Sequence, residues 1–154
     1  MFSKIAPVDV VLSPCVLTQT INPSRNALRD HYAPSDPICV RLRNALIARH
    51  LRLMNLLLDA GGKGVLAIDI ISQEHFGELA RVPEDELPSL FAKYISMGKH
   101  YPGLDPDSLN RLAANDPELS KSISPIAVQG IWRWHLGLNK CFVVCGLVFE
   151  KLRR

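Results

Sequence analysis

Apolar residues recur at three- and four-residue steps from Asp36 to Gly61, where Ile38, Leu42, Ala45, Leu46, Leu53, Leu56 and Leu57 would share one helix face. Such a stripe predicts a helix with that face buried. Both ends are marked. Asp36 suits an N-cap, Pro37 fits the first helical position, where no amide bond is lost, and Gly61 offers the left-handed residue that ends helices. Downstream, Ser72 can cap a short helix with Phe76, Leu79, Ala80 and Val82 on its apolar face. Pro83-Glu84-Asp85-Glu86 opens another, in which Leu87, Leu90, Phe91, Tyr94 and Ile95 keep helical spacing up to Gly98. Three later segments begin on a capping residue followed by proline, at Asp105-Pro106, Asp116-Pro117 and Ser124-Pro125. Ile131, Trp132, Leu138, Phe142, Cys145 and Phe149 then read as two apolar helices broken near Gly137-Leu138-Asn139.

Two stretches resist the helical pattern. Residues 1–23, punctuated by Pro7, Pro14 and Pro23, read as an extended arm with at most one short strand, followed by a short helix over Ser24–Ala33 that Pro34 stops. Val65–Ile71 is short, apolar and β-branched, and periodicity does not decide between a strand and a first helical turn. The expected fold is therefore mainly α: a compact multi-helix domain over residues 24–154, an extended N-terminal arm, and one or two short strands at most.

A chain of 154 residues suits one domain and buries about two-thirds of its unfolded surface. At 47% hydrophobic and 21% charged residues, wholesale disorder is excluded. The apolar run Cys141 to Phe149 falls short of the roughly 20 residues of a membrane span, and Pro7 and Asp9 interrupt any signal-peptide core. The reading is a cytoplasmic protein with no membrane partner. Cys15, Cys39, Cys141 and Cys145 have no framework spacing and read as reduced, buried thiols.

Net charge is +3, but the first 68 residues carry +4, residues 69–118 carry −6 and the remainder +5. Basic ends and an acidic middle suit an anionic polymer on one surface and a protein on another, or head-to-tail pairing in an oligomer. The basic charge concentrates on the central helix, where Arg41, Arg43, Arg49, His50 and Arg52 occur with no acidic residue between Asp36 and Asp59. Guanidinium groups match phosphate oxygens, so these arginines are candidates for contact with double-stranded DNA, together with Lys140, Lys151, Arg153 and Arg154. The alternative is that they pair with the acidic residues of 69–118.

No catalytic constellation stands out. The chain has no Gly-x-Ser-x-Gly elbow, no His-Glu-x-x-His and no dinucleotide glycine fingerprint, and Gly61-Gly62-Lys63-Gly64 lacks the spacing of a phosphate-binding loop. No enzyme, metal or cofactor is therefore expected. Glu84-Asp85-Glu86 reads as the first turn of a helix, where negative charge is favoured. Trp132 and Trp134, two apart on an expected helix, would point different ways, one into the core and one to an interface. A C-terminal helix-turn-helix would make Lys140–Lys151 its recognition helix, yet that run offers almost nothing to read base edges. A ribbon-helix-helix over residues 65–97 would present Ala67 and Asp69 to DNA, and the acidic residue counts against it.

From Asn44 to about Leu112, the run ALIARHLRLMNLLL, then LAIDI, SQEHFGELARVPEDELPSLF and Asp-Pro-Asp-Ser-Leu-Asn-Arg-Leu resembles the bacterial flagellar transcriptional activator family FlhD, with identities around Glu74, Leu79 and Ala80. The arm and tail are longer here, and residues 92–103 lack the family's frequent cysteine, so no interchain disulfide is implied. The resemblance implies a mostly helical subunit that dimerises and joins a second protein to activate transcription. It transfers no individual residue. The combined expectation is a DNA-associated transcription regulator, an activator subunit, acting as a homodimer or as a hetero-oligomer with a second regulator subunit. The alternative is a non-enzymatic interaction module such as an adaptor or secretion chaperone.

Overall fold

In the computed structural model, which describes residues 7–28, 30–136 and 140–153, β-branched and aromatic residues at both ends of the chain form strands. The order is β1 (Val8–Pro14), α1 (Val16–Leu28), α2 (Pro37–Leu57), β2 (Leu58–Ser72), α3 (Leu87–Ser96), α4 (Pro106–Asn115), α5 (Leu119–Ser122), β3 (Ala127–His135) and β4 (Cys141–Glu150). One mixed sheet runs β1-β2-β4-β3, with β1 parallel to β2 and the other neighbours antiparallel. This α/β architecture overturns the expectation of a mainly α domain with an extended N-terminal arm. It departs equally from the mostly helical subunit implied by the FlhD resemblance. No helix among the described residues is long and apolar enough to cross a membrane.

The differences have physical causes. Pro14 is tolerated because β1 is an edge strand, where a missing N–H breaks no ladder. Pro23 lies inside α1, so the supposed arm is a strand and most of a helix. At its start α2 follows expectation, since Pro37 opens it and the Asp36 carboxylate accepts the Ile38 amide at 2.8 Å. Its end comes earlier than Gly61: Leu58 turns extended while its N–H still bonds Met54 O, and the chain passes directly into β2. The segment after Ser72 holds only a 3₁₀ turn at Leu79–Arg81.

The expected C-terminal helices are the β3 and β4 strands, which excludes the helix-turn-helix; the predicted break at 137–139 lies outside the described residues. Cys141–Glu150 carries apolar residues at every step because Cys141, Val143, Cys145, Leu147 and Phe149 face the helices, while on the other face Val144, paired with Trp132, is also buried. Two-residue and four-residue spacings place Cys141 and Cys145 on one strand face as surely as on one helix face.

Register then divides the sheet. Leu66 pairs with Leu147, Ile68 with Cys145 and Gly64 with Phe149, and all of these except Gly64 join Ile47, Leu51 and Met54 of α2 in one buried cluster. Leu17 of α1, Phe91 of α3, Leu109 of α4 and Leu119 of α5 belong to the same cluster, so all five helices cover one face. The alternate positions of each strand point the other way.

Candidate functional site

The basic residues of α2 do not form one surface. Arg52 is bound by Asp116, Nε to Oδ1 at 3.3 Å and Nη2 to Oδ2 at 2.5 Å, with Glu118 at 3.7 Å. Burial alone would raise the Asp116 carboxyl, but Arg52 and the Leu119 and Glu118 amides together hold it below the usual carboxylate range. Arg52 is thereby a structural partner of the acidic segment, as the alternative reading of these arginines allowed. Arg43 is half-buried against Gly103, and burial lowers its pKa while the nearby Asp105 charge opposes that shift. His50 turns away to β1, with Nε2 2.7 Å from Ser13 Oγ, and burial lowers its pKa as well. Arg41 and Arg49 remain exposed.

The other predicted contacts are scattered. Lys151 Nζ donates to Leu58 O at 2.6 Å, and the Arg153 side chain lies against Gly61, near the start of β2. Lys140 is exposed at the opposite end of β4. Arg154 lies outside the described residues. Exposed Arg41 and Arg49 on α2, Lys151 and Arg153 near the start of β2, and Lys140 beyond the other end of the sheet therefore replace the single basic surface.

What the fold does bring together is apolar. Alternation along the four strands places Val10 and Leu12 of β1, Val65 and Ala67 of β2, Phe142 and Val148 of β4, and Trp132 and Trp134 of β3 on the face away from the helices. Leu12 is 64% exposed, Val10 57%, Trp132 39% and Trp134 37%. On a strand, residues two apart share a side, so both tryptophans emerge together, contrary to the divergence expected of a helix. The Trp132 ring also lies over Gly146, where a Cβ would come within 2.8 Å of it. Intervening Arg133 points to the helical side and bonds Val82 O and Glu84. Charge on the open face is sparse: Lys63 and Glu150 are cross-strand neighbours at one end, and Asp69 is buried near the other.

Asp69 marks the place where catalysis would be sought, at the carboxyl ends of parallel β1 and β2. Cys15, at φ 53° between β1 and α1, donates its thiol to Asp69 Oδ1 at 3.1 Å. Burial, then the Asp69 carboxylate, push that thiol up to about 12, so it is no thiolate nucleophile at neutral pH. Burial also raises the Asp69 carboxyl, against the thiol hydrogen bond. A polar cleft of about 500 Å³ opens beside it, lined by Thr18, Gln19, Asn22, Lys140 and Phe142. Among the described residues no group of three or more His, Cys, Asp or Glu is placed to hold a metal ion.

Comparison of the chain with protein-family models, with curated proteins and with solved structures returns no match.

Sequence reasoning missed Val10, Leu12, Val65, Phe142 and Val148 as surface-forming residues. Short alternation is present only in Val8-Asp9-Val10 and Trp132-Arg133-Trp134, and nothing local marks Val65, Phe142 or Val148.

Proposed function

We propose that the protein is a non-enzymatic interaction module that acts as an oligomer, and that its docking surface is the open face of the sheet, occupied by the same face of a second copy. The observation that carries this reading is a four-stranded face on which Leu12, Val10, Trp132 and Trp134 are exposed and over which, among the described residues, only the start of α1 comes close, at the Asp69 end. Four strands at roughly 4.8 Å spacing and about nine residues at roughly 3.3 Å give a face of about 19 by 30 Å. A pair of such faces buries on the order of 1,100 Å², above the roughly 1,000 Å² expected of a genuine interface. Charge does not oppose the pairing, because Lys63 and Glu150 offset one another and Asp69 is withdrawn. Aromatic residues in the patch match the composition of interface cores. Sedimentation equilibrium across a concentration series tests it: a monomer–dimer equilibrium is expected, and a monomer at every concentration refutes it.

A second reading, a cytoplasmic DNA-associated transcription regulator, is favoured by Arg41 and Arg49. Both are exposed on α2 and engaged in no ion pair or hydrogen bond among the described residues. Duplex binding over a salt series tests it, with Arg41→Ala and Arg49→Ala expected to weaken all sequences alike. Binding absent at low salt would remove it.

A further inference from the structure

The sequence leaves room between α2 and α4. Ala45 and Ala48 on α2 and Gly103 ahead of α4 fill little space, and a groove of about 560 Å³ remains between them. That volume falls within the roughly 300–1,000 Å³ typical of small-ligand sites. Arg43, Asn44, Ser108, Arg111, Asn115 and Asp116 supply its polar lining.

Its anionic and cationic groups are in different conditions. Asp116 is neutralised by Arg52 and accepts the amides of Glu118 and Leu119 at 3.0 and 3.1 Å. Asp105, the carboxylate near Arg43, caps α4 through Ser108 N at 2.9 Å and lies 3.3 Å from His100 Nε2. The cations are not so matched. Arg43 makes no hydrogen bond or ion pair among the described residues, and its Nε is buried with no acceptor. The loop holds it there, for a Cβ on Gly103 would come within 2.7 Å of that nitrogen. The Arg111 guanidinium bonds only Ser108 Oγ among the described residues, at 3.0 Å, and Arg111 is exposed. A guanidinium taken from water without an acceptor carries a desolvation cost that a bound anion offsets, and its planar fork of donors matches a phosphate.

We propose that the groove between α2 and α4 binds the phosphate group of a small phosphorylated molecule, gripped between Arg43 and Arg111, with Asn44 at its edge. The recess selects a small molecule over a duplex backbone: Arg43 is half-buried within it, whereas the exposed Arg41 and Arg49 line no part of it. Asp116 serves as a positioned wall whose charge Arg52 has already compensated, so it does not repel the ligand. The site lies on the helical side of the sheet and is independent of the open face.

Isothermal titration with inorganic pyrophosphate tests the assignment, using the full chain and the variants Arg43→Gln, Arg111→Gln and Arg41→Gln. The parent is expected to bind saturably. Loss of a charged, bidentate partner is expected to weaken binding about tenfold or more in Arg43→Gln and in Arg111→Gln, and less than about twofold in Arg41→Gln. Circular dichroism checks folding; should Arg43→Gln unfold, the exposed Arg111 carries the test. Absence of saturable heat up to about 1 mM pyrophosphate overturns the proposal. So does equal weakening by Arg41→Gln, which would mean diffuse charge. A duplex oligonucleotide that binds more tightly than pyrophosphate and depends on Arg41 as much as on Arg111 would assign the charge to nucleic acid instead.

Discussion

Leu12→Glu separates the open face from the rest of the surface, because a matched control exists. Leu12 and Leu56 are both 64% exposed, but Leu12 is on the open face of β1 and Leu56 is on α2, on the opposite side of the sheet. In the isolated chain neither replacement removes much packing, and each should stay within about 0.5 kcal/mol of the parent. Association distinguishes them. Covering a leucine that is two-thirds exposed recovers about 1–2 kcal/mol of the roughly 1.5–3 kcal/mol available on full burial. Two-fold symmetry removes two leucines per pair, about 2–4 kcal/mol, so the dissociation constant should rise about thirty- to several-hundredfold. Placing two carboxylates in an apolar seam adds a further penalty in the same direction. Leu56→Glu should leave the constant unchanged. A face of this size predicts micromolar or weaker pairing, so sedimentation equilibrium should run from about 1 to 200 μM. A Leu12→Glu protein that dimerises like the parent, or a Leu56→Glu protein that loses pairing equally, refutes the assignment of the face.

Two further predictions concern the fold that presents this face. Burial raises the folded-state carboxyl of Asp69, so the stability its protonated form contributes is present below the ordinary carboxylate value and lost as pH rises through the raised one. Asp69→Asn keeps an acceptor for the Cys15 thiol and should therefore raise Tm at pH 7, with the gain shrinking toward pH 4; a lower Tm at pH 7 contradicts this account. Gly64→Ala would drive a Cβ into the ring of Phe149, which is fully buried. A loss of about 3 kcal/mol is expected, read as a lower urea midpoint at unchanged m-value, and a neutral result would show that the β2–β4 ladder can shift.

How legible all this was depended on how local each signal is. Asp36-Pro37 and Asp105-Pro106 did open helices, with both aspartates accepting amides, because capping is settled by a few consecutive residues. Leu87–Ser96 kept its helical face, with Leu87, Phe91 and Tyr94 buried, on apolar spacing rather than a side-chain cap. Arg52 finding Asp116 was foreseen as one of two outcomes, since charge imbalance between segments is visible without a fold. The strands were hidden because β4 is apolar on both of its faces and shows no alternation, and Cys141–Glu150 fits a helical and an extended pattern alike. Edge-strand alternation in β1 was masked by the prolines around it, which suggested an arm. The candidate face was therefore beyond reach from sequence: its residues come from four strands, and only the register of β1, β2, β4 and β3 assembles them. In the α2–α4 groove, Arg43 was identified, but as part of a continuous basic stripe. Arg111 was not identified, because no local pattern links residues 43 and 111.

The layer order also constrains the second reading. Two copies joined through their open faces stack as helices, sheet, sheet, helices, and each α2 then lies on an outer layer facing away from its counterpart. One duplex cannot touch both. If such a dimer binds DNA, a single subunit supplies the exposed arginines, Arg41 and Arg49, because Arg52 is held by Asp116 and Arg43 is half-buried. Two neutralised phosphates predict a slope of log affinity against log salt near −1.8, whereas both subunits acting together would give about −3.6. A slope at the larger value, with pairing still abolished by Leu12→Glu, would show that the two helices reach one duplex. That result is incompatible with face-to-face stacking and would move the interface elsewhere on the molecule.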